Sequence, residues 1–192
     1  MGLSGGVDSA VAAALLRDAG RAVTGAYCHM PDTPTARHHA ADARRVAETL
    51  GIPWVEIDAR AAFRAVPAYF AAEYARGRTP NPCVFCNARV KFAALAGRAD
   101  ALGIRHIATG HHARAGQHAG RAALFRAPDR QRDQSYALHR LPAAILERLV
   151  LPLGELGRDA AGPDGAPPAD ATKAEVRRRA RRLGLAVHDK AD

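Results

Sequence analysis

The sequence predicts an α/β protein built on a doubly wound parallel sheet with helices on both faces. Three observations carry that expectation. Short apolar runs at Ala22–Tyr27, Trp54–Asp58 and Arg105–Thr109 alternate with stretches of helical periodicity. A glycine pair, Gly5-Gly6, leads straight into the first helix. Polar groups follow the strands' C-terminal ends, Cys28-His29 after one and Gly110-His111-His112 after another. That is the edge at which such sheets hold ligands.

Taken in order, the first helix spans about Asp8–Ala19 and stops at Gly20. A loop with Pro31 and Pro34 precedes a second helix, Arg37–Leu50, closed by Gly51. A third covers 61–75, with Pro67 expected to kink it. The stretch Gly77–Cys86 reads as a loop and Ala88–Leu102 as the helix after it. Residues 113–127 read as a small hairpin and 142–149 as helical. Residues 157–171, rich in Pro, Gly, Asp and Ala, read as a flexible linker. A basic helix over Lys173–Leu183 and a short strand at Leu185–His188 close the chain.

The glycine pair is a built-in anion site, because glycine lets backbone N–H groups turn toward a phosphate and the helix start adds a positive dipole end. Ser4 and Ser9 can donate hydroxyls to the same oxygens, and Asp8 is placed to hold a Mg²⁺ bridging them. The plain alternative is a tight turn and a capped helix, with Asp8 or Ser9 near the N-cap. No Gly-Lys-Ser/Thr follows, so this is not a Walker A loop.

The second constellation is Cys83-Val-Phe-Cys86. With Cys86 just before a helix and near Arg89 and Lys91, a lowered thiol pKa and a nucleophilic role are expected. Zinc would want four ligands and no second Cys-X-X-Cys exists. A redox pair and an Fe–S cluster with Cys28 as the third ligand also stay open. One of His111 and His112 is a candidate for touching substrate or nucleotide, whereas His38 and His39 read as solvated.

Twenty-eight Lys and Arg against 19 Asp and Glu give a net charge of +9, which favours a polyanionic partner or simply a solvated basic surface. No apolar run approaches the roughly 20 residues of a membrane helix. No signal peptide precedes Ser4, and three cysteines make no disulfide framework, so the expected setting is cytoplasmic without a membrane partner.

SGGVDS at 4–9 resembles the signature of the ATP-pyrophosphatase PP-loop enzymes, whose fold is of the adenine nucleotide alpha hydrolase-like type. RTPNPCVFCN at 78–87, KF at 91–92, ATGHHAR at 108–114, RDQSYAL at 132–138, LPLGEL at 151–156 and KAEVRRRARRLGL at 173–185 follow in order. Together they resemble the tRNA-specific 2-thiouridylase family, which replaces O2 of the wobble uridine by sulfur. The resemblance implies that ATP adenylates the base oxygen and that a persulfide then displaces AMP. It further implies that Gly2, Leu3, Ser4, Gly5, Gly6, Val7, Asp8 and Ser9 bind ATP, with Cys28 and Gly110 near the nucleotide. Asn81, Pro82 and Cys83 would border the target base, Cys86 would be the nucleophile, and His111, Arg132, Asp133 and Gln134 would contact tRNA. Its implied cofactors are ATP and Mg²⁺, with an Fe–S cluster on Cys83 and Cys86 if a third cysteine joins them. Its implied partners are tRNA and a sulfur-relay protein or cysteine desulfurase.

Departures from the pattern set further expectations. Only Met1-Gly-Leu3 precedes the loop, so the sheet is expected to lack its first strand. Residues 1–156 are expected to form the ATP-binding catalytic domain, 157–171 an inserted linker, and 172–192 the end of that domain, with the chain a fragment that stops before the persulfide-carrying cysteine. Such a fragment would bind ATP without repeated sulfur transfer. Other readings are another PP-loop adenylating enzyme, of tRNA-lysidine or GMP synthetase type, and an ATP- or RNA-binding remnant without turnover.

Overall fold

Residues 1–3 sit at the centre of the sheet. In the computed structural model, which describes residues 1–156 and 171–190, Leu3 N donates to Ala26 O and Ala26 N to Met1 O, both at 2.8 Å. On the other side Gly2 N donates to Ala108 O at 2.8 Å. This segment therefore joins two parallel pairs, β1 (Gly25–His29) with β2 (Trp54–Asp58), and β3 (Ile107–Ala108) with β6 (Leu149–Val150). The order across the sheet is β2, β1, residues 1–3, β3, β6. No regular strand is formed before the loop, as expected; a single parallel bridge, Gly2 with Ala26, and the backbone bonds of residues 1–3 stand in that position. From this centre the chain winds first to one side and then to the other, so a switch-point crevice opens between the loops after Leu3 and after Ala108.

Helix α1 (Val7–Asp18) fits its expected span closely. Its run from Ser9 to Ala14 is buried almost completely, with alanine letting the helix lie close on the sheet. β1 starts at Gly25 rather than Ala22. Its register pairs Gly25 with Trp54, and Pro53, having no N–H, cannot extend the ladder backward. Helix α2 (Pro34–Leu50) starts three residues earlier than expected, because Thr33 accepts from Ala36 N and Pro34 takes the first helical position.

The expected helix over 61–75 is two helices, α3 (Arg60–Phe63) and α4 (Ala65–Ala75). The break falls at Arg64, where Pro67 has no N–H to offer the Phe63 carbonyl. Residues expected as loop form helix α5 (Pro82–Cys86), which runs on through a π-helical turn (Asn87–Lys91) into α6 (Phe92–Ala101). Asn81 Oδ1 caps α5 by accepting from Cys83 N and Val84 N, at 3.0 and 3.4 Å.

The hairpin is present as antiparallel β4 (Ala113–His118) and β5 (Arg121–Arg126). Its turn places Ala119 and Gly120 at positive φ, the primed geometry that matches strand twist. The stretch read as helical at 142–149 divides into α7 (Ala143–Leu146) and β6.

Helix α8 (Ala171–Arg182) agrees with the expected basic helix, but Leu185–His188 is no strand. A 3-10 turn occupies Ala186–Asp189, with His188 N donating to Leu185 O and Lys190 N to Val187 O. The expected linker, 157–171, lies outside the described residues except for Ala171, where α8 begins. Val176, Ala180, Leu185 and Val187 share one core with Val7, Ala10 and Leu50, so the C-terminal segment is packed onto α1 and α2. A second core forms around Phe92 and Leu138, beneath the hairpin and α7.

This packing can be tested at Leu185, which is fully buried. Leu185→Ala is expected to lower the unfolding free energy by about 2–5 kcal/mol. Leu102→Ala, at a largely exposed position, should change it by no more than about 0.5 kcal/mol. Urea denaturation followed by circular dichroism measures both.

Candidate functional site

The glycine-pair loop is shaped by close approach. Gly5 has φ +77°, and a β-carbon there would stand 2.4 Å from the carbonyl oxygen of His39, so only glycine fits. Ser9 Oγ donates to Gly6 O at 3.0 Å and accepts from Ser4 N at 3.1 Å, while Ser4 Oγ lies 3.1 Å from Ser9 Oγ. The two hydroxyls thus knit the loop together. Gly6, not Asp8 or Ser9, is the N-cap of α1, and it supplies no side-chain cap. The first-turn N–H groups of α1 are the natural seat for an anion. From the far side of the crevice Gly110 closes on the same turn.

Two clefts meet here. The first, about 520 Å³, runs from Gly2, Ser4 and Ser9 past Cys28 to Met30, with Gly110 and His111 on its other wall. The second, about 500 Å³, is lined by Ser4, Gly6, Val7 and Asp8 together with Arg132, Lys173 and Lys190. Ser4, Asp8, His39 and Gln134 border both. His39 is therefore part of the site rather than a solvated helix residue.

Asp8 is the one carboxylate lining either cleft among the described residues. Both its oxygens lie 3.0 Å from Lys173 Nζ, and His112 Nε2 is 3.6 Å from Oδ1. Burial alone would raise this carboxyl, but His112 and Lys173 outweigh it and hold it below the usual carboxylate range. A lone carboxylate fits a Mg²⁺ that arrives with phosphate oxygens and water, not one caged by protein. Asp8 would hold that ion, whose chemistry would be to neutralise phosphate charge.

His111 lines the first cleft and His112 the second. His111 Nδ1 lies 2.8 Å from Thr109 Oγ1. Desolvation, with Lys91 and His112 adding to it, pushes the His111 ring down to about 3, so it is neutral at physiological pH. His112 is buried, and its backbone is fastened to Gln134: His112 N donates to Gln134 Oε1 at 2.9 Å and Gln134 N to His112 O at 2.8 Å. Asp133 faces neither cleft. Its carboxylate accepts from Ala127 N, Ser135 N and Ser135 Oγ and so shapes the turn that presents Arg132 and Gln134.

The cysteines require a correction. Cys86 is the last residue of α5 and is buried, with its Sγ 3.7 Å from Met30 Sδ. It does not precede a helix start, and burial pushes its thiol up, reinforced by Cys83 and opposed by Lys91. Cys28 is pushed up to about 11, again by burial first. Cys83 is exposed, and Asn81 and Pro82 stand beside it as cap and first residue of α5. Asn81, Pro82 and Cys83 line neither of the two clefts. Cys83 and Cys86 do not converge on a cluster, and no group of three His, Cys, Asp or Glu is placed to hold a metal among the described residues.

Lys173, Lys190 and Met30 were not singled out by sequence reasoning. Of the arginines of the basic helix, Arg178 and Arg179 pair with Glu175, and Arg181 with Asp189.

Residues 1–162 match the model of the tRNA methyl transferase HUP domain. The chain belongs to that family. Curated relatives of this HUP domain include the tRNA-specific 2-thiouridylase MnmA of Mycolicibacterium gilvum, 45% identical over 201 residues, 99% of this chain and 51% of the relative. The MnmA of Syntrophotalea carbinolica is 44% identical over 196 residues, with 99% and 51% covered. That of Carboxydothermus hydrogenoformans is 42% identical over 202 residues, with 98% and 51% covered. The HUP-domain chain thus spans about half the length of the curated relatives it matches. Among its described residues no helix is long and apolar enough to cross a membrane.

Cysteine labelling tests the thiol geometry. At pH 7.5 a limiting amount of iodoacetamide should mark Cys83 first, because it alone is exposed. Labelling of Cys86 should be slow and should rise as pH climbs past 9, since a raised pKa withholds the thiolate until alkaline pH. Mass-spectrometric mapping that finds Cys86 modified first at pH 7.5 would contradict this arrangement.

Proposed function

We propose that this domain carries out the ATP-dependent step of tRNA 2-thiolation: adenylation of O2 of the wobble uridine, followed by sulfur transfer at Cys86. The observation that carries the reading is the first cleft, which leads from the Ser4–Ser9 loop to Met30, against which Cys86 Sγ lies. A phosphate-binding loop at one end of this cleft and a buried thiol just behind the Met30 end suit a reaction that needs both. The relatives' name, tRNA-specific 2-thiouridylase, supports the choice of substrate.

In this reading the uridine O2 attacks the α-phosphorus of ATP, and the bond to pyrophosphate breaks. The base now carries AMP on O2, a good leaving group. A persulfide sulfur, supplied through a cysteine desulfurase or a relay protein, attacks C2 and AMP departs with the oxygen. The Cys86 thiolate then attacks the remaining S–S bond, which frees 2-thiouridine and leaves a disulfide for an external thiol to reduce. Lys91, lining the first cleft, is the cation that opposes burial at Cys86. Asn81, Pro82 and Cys83 border the entering base, while His111, Arg132 and Gln134 face tRNA or its reacting end. Asp8 serves the triphosphate with Mg²⁺. Residues 1–156 with 172–192 form the catalytic unit, in the cytoplasm.

The experiment uses the intact protein with unmodified tRNA, ATP and a sulfur donor. Pyrophosphate release and 2-thiouridine are measured separately. Cys86→Ser is expected to abolish 2-thiouridine while leaving tRNA-dependent pyrophosphate release within about threefold. Asp8→Ala should reduce both at least 100-fold, in keeping with loss of phosphate stabilisation. Thiolation that survives Cys86→Ser, or pyrophosphate release indifferent to tRNA, would overturn the reading.

A further inference from the structure

The second cleft has a composition unlike the first. Arg132, Lys173 and Lys190 bring three cations to it against one carboxylate, Asp8. Lys173 is only 4% exposed, and Lys190 is half-buried. An ammonium group is not buried without strong compensation, and Lys173 finds it in the two oxygens of Asp8, 165 residues away in sequence. Lys190 Nζ donates to Gly5 O at 3.1 Å and to Asp42 Oδ2 at 2.6 Å. Both lysines therefore bond to the glycine-pair loop or to a side chain beside it. A further buried group points to a ligand: His112 Nε2, on the wall of this cleft, makes no hydrogen bond among the described residues, its nearest charged neighbour being Asp8 Oδ1 at 3.6 Å.

We propose that Lys173 and Lys190 are the cationic jaw of the pyrophosphate site, opposite the first-turn N–H groups of α1. The proposal rests on the nucleotide reading of the Ser4–Ser9 loop and extends it to the C-terminal segment. Asp8 keeps Lys173 compensated. A β,γ-diphosphate entering the cleft offers Lys173 a more highly charged partner and frees the Asp8 carboxylate. Lys190, already bonded to the carbonyl of Gly5, reaches the same phosphates from the other side. The adenosine end stays in the first cleft, which contains neither lysine. Because both lysines belong to α8 and the turn after it, phosphate binding also fastens this segment to the loop. The leaving pyrophosphate is thus held by residues that do not touch the adenosine.

The test is isothermal titration of the whole chain with ATP, AMP and inorganic pyrophosphate, each with Mg²⁺. Lys173→Met is expected to weaken ATP and pyrophosphate at least tenfold and to leave AMP within twofold, with Lys173→Arg recovering part of the loss. Lys190→Met, at a less buried position, should show the same pattern to a smaller degree and carries the test should Lys173→Met fail to fold. Equal losses for ATP and AMP would reduce Lys173 to a support for Asp8 and overturn the proposal, as would unchanged ATP and pyrophosphate binding. Wild-type protein that binds neither ATP nor pyrophosphate would overturn the nucleotide reading itself, and the jaw with it.

Discussion

The loop after β3 approaches the first turn of α1 so closely that a β-carbon on Gly110 would stand 2.7 Å from both N and Cα of Ser9. That contact is possible because Gly2 N reaches Ala108 O across the centre of the sheet, which holds the two loops side by side. Both clefts depend on it, since the loop walls the first cleft with Gly110 and His111 and the second with His112. Gly5 meets the same demand on the other flank, where α2 presses the carbonyl of His39 against it. The site is thus made by backbone packed on backbone, with side chains added at its rim.

From this geometry the charges fall into two groups. One side of Asp8 collects lysines and an arginine, a setting for a polyanion. The other holds Cys28 and Met30, with the buried Cys86 behind Met30, its thiol pushed up by burial. Lys91 connects the sulfur side to the fold. It ends a π-helical turn between α5 and α6, an insertion that re-aims one residue of a helix and is frequent at functional sites. Asn87 anchors that turn by donating to Ala137 O at 3.0 Å. A protonated thiol close to a cation is quiet in the free protein.

Much of this could be read from local sequence. The glycine pair before an alanine-rich helix, the β2 run at Trp54–Asp58, the hairpin at 113–127 and the polar groups after the strands are all signals carried by neighbouring residues. What escaped was of two kinds. Some signals were present and misjudged: Asn81-Pro82 is a capping residue before a first-turn proline, which puts Cys86 at the end of a helix rather than ahead of one. Leu185 and Val187 alternate with more exposed neighbours as in a strand, yet belong to a 3-10 turn against α1. Others had no local signal at all. Lys173 meets Asp8 across 165 residues and Lys190 meets Gly5 across 185, and no spacing rule foretells such pairs.

The central claim is that the crevice between the loops after Leu3 and Ala108 holds a nucleotide with its phosphates on the first turn of α1. A crystal structure of the chain with the non-hydrolysable α,β-methylene analogue of ATP and Mg²⁺ tests it most directly. The account predicts phosphate oxygens within hydrogen-bond distance of the N–H groups at the start of α1 and of Lys173, with the adenine in the cleft that contains Cys28. A nucleotide bound elsewhere, or one whose phosphates point toward Met30 and away from Lys173, would contradict it.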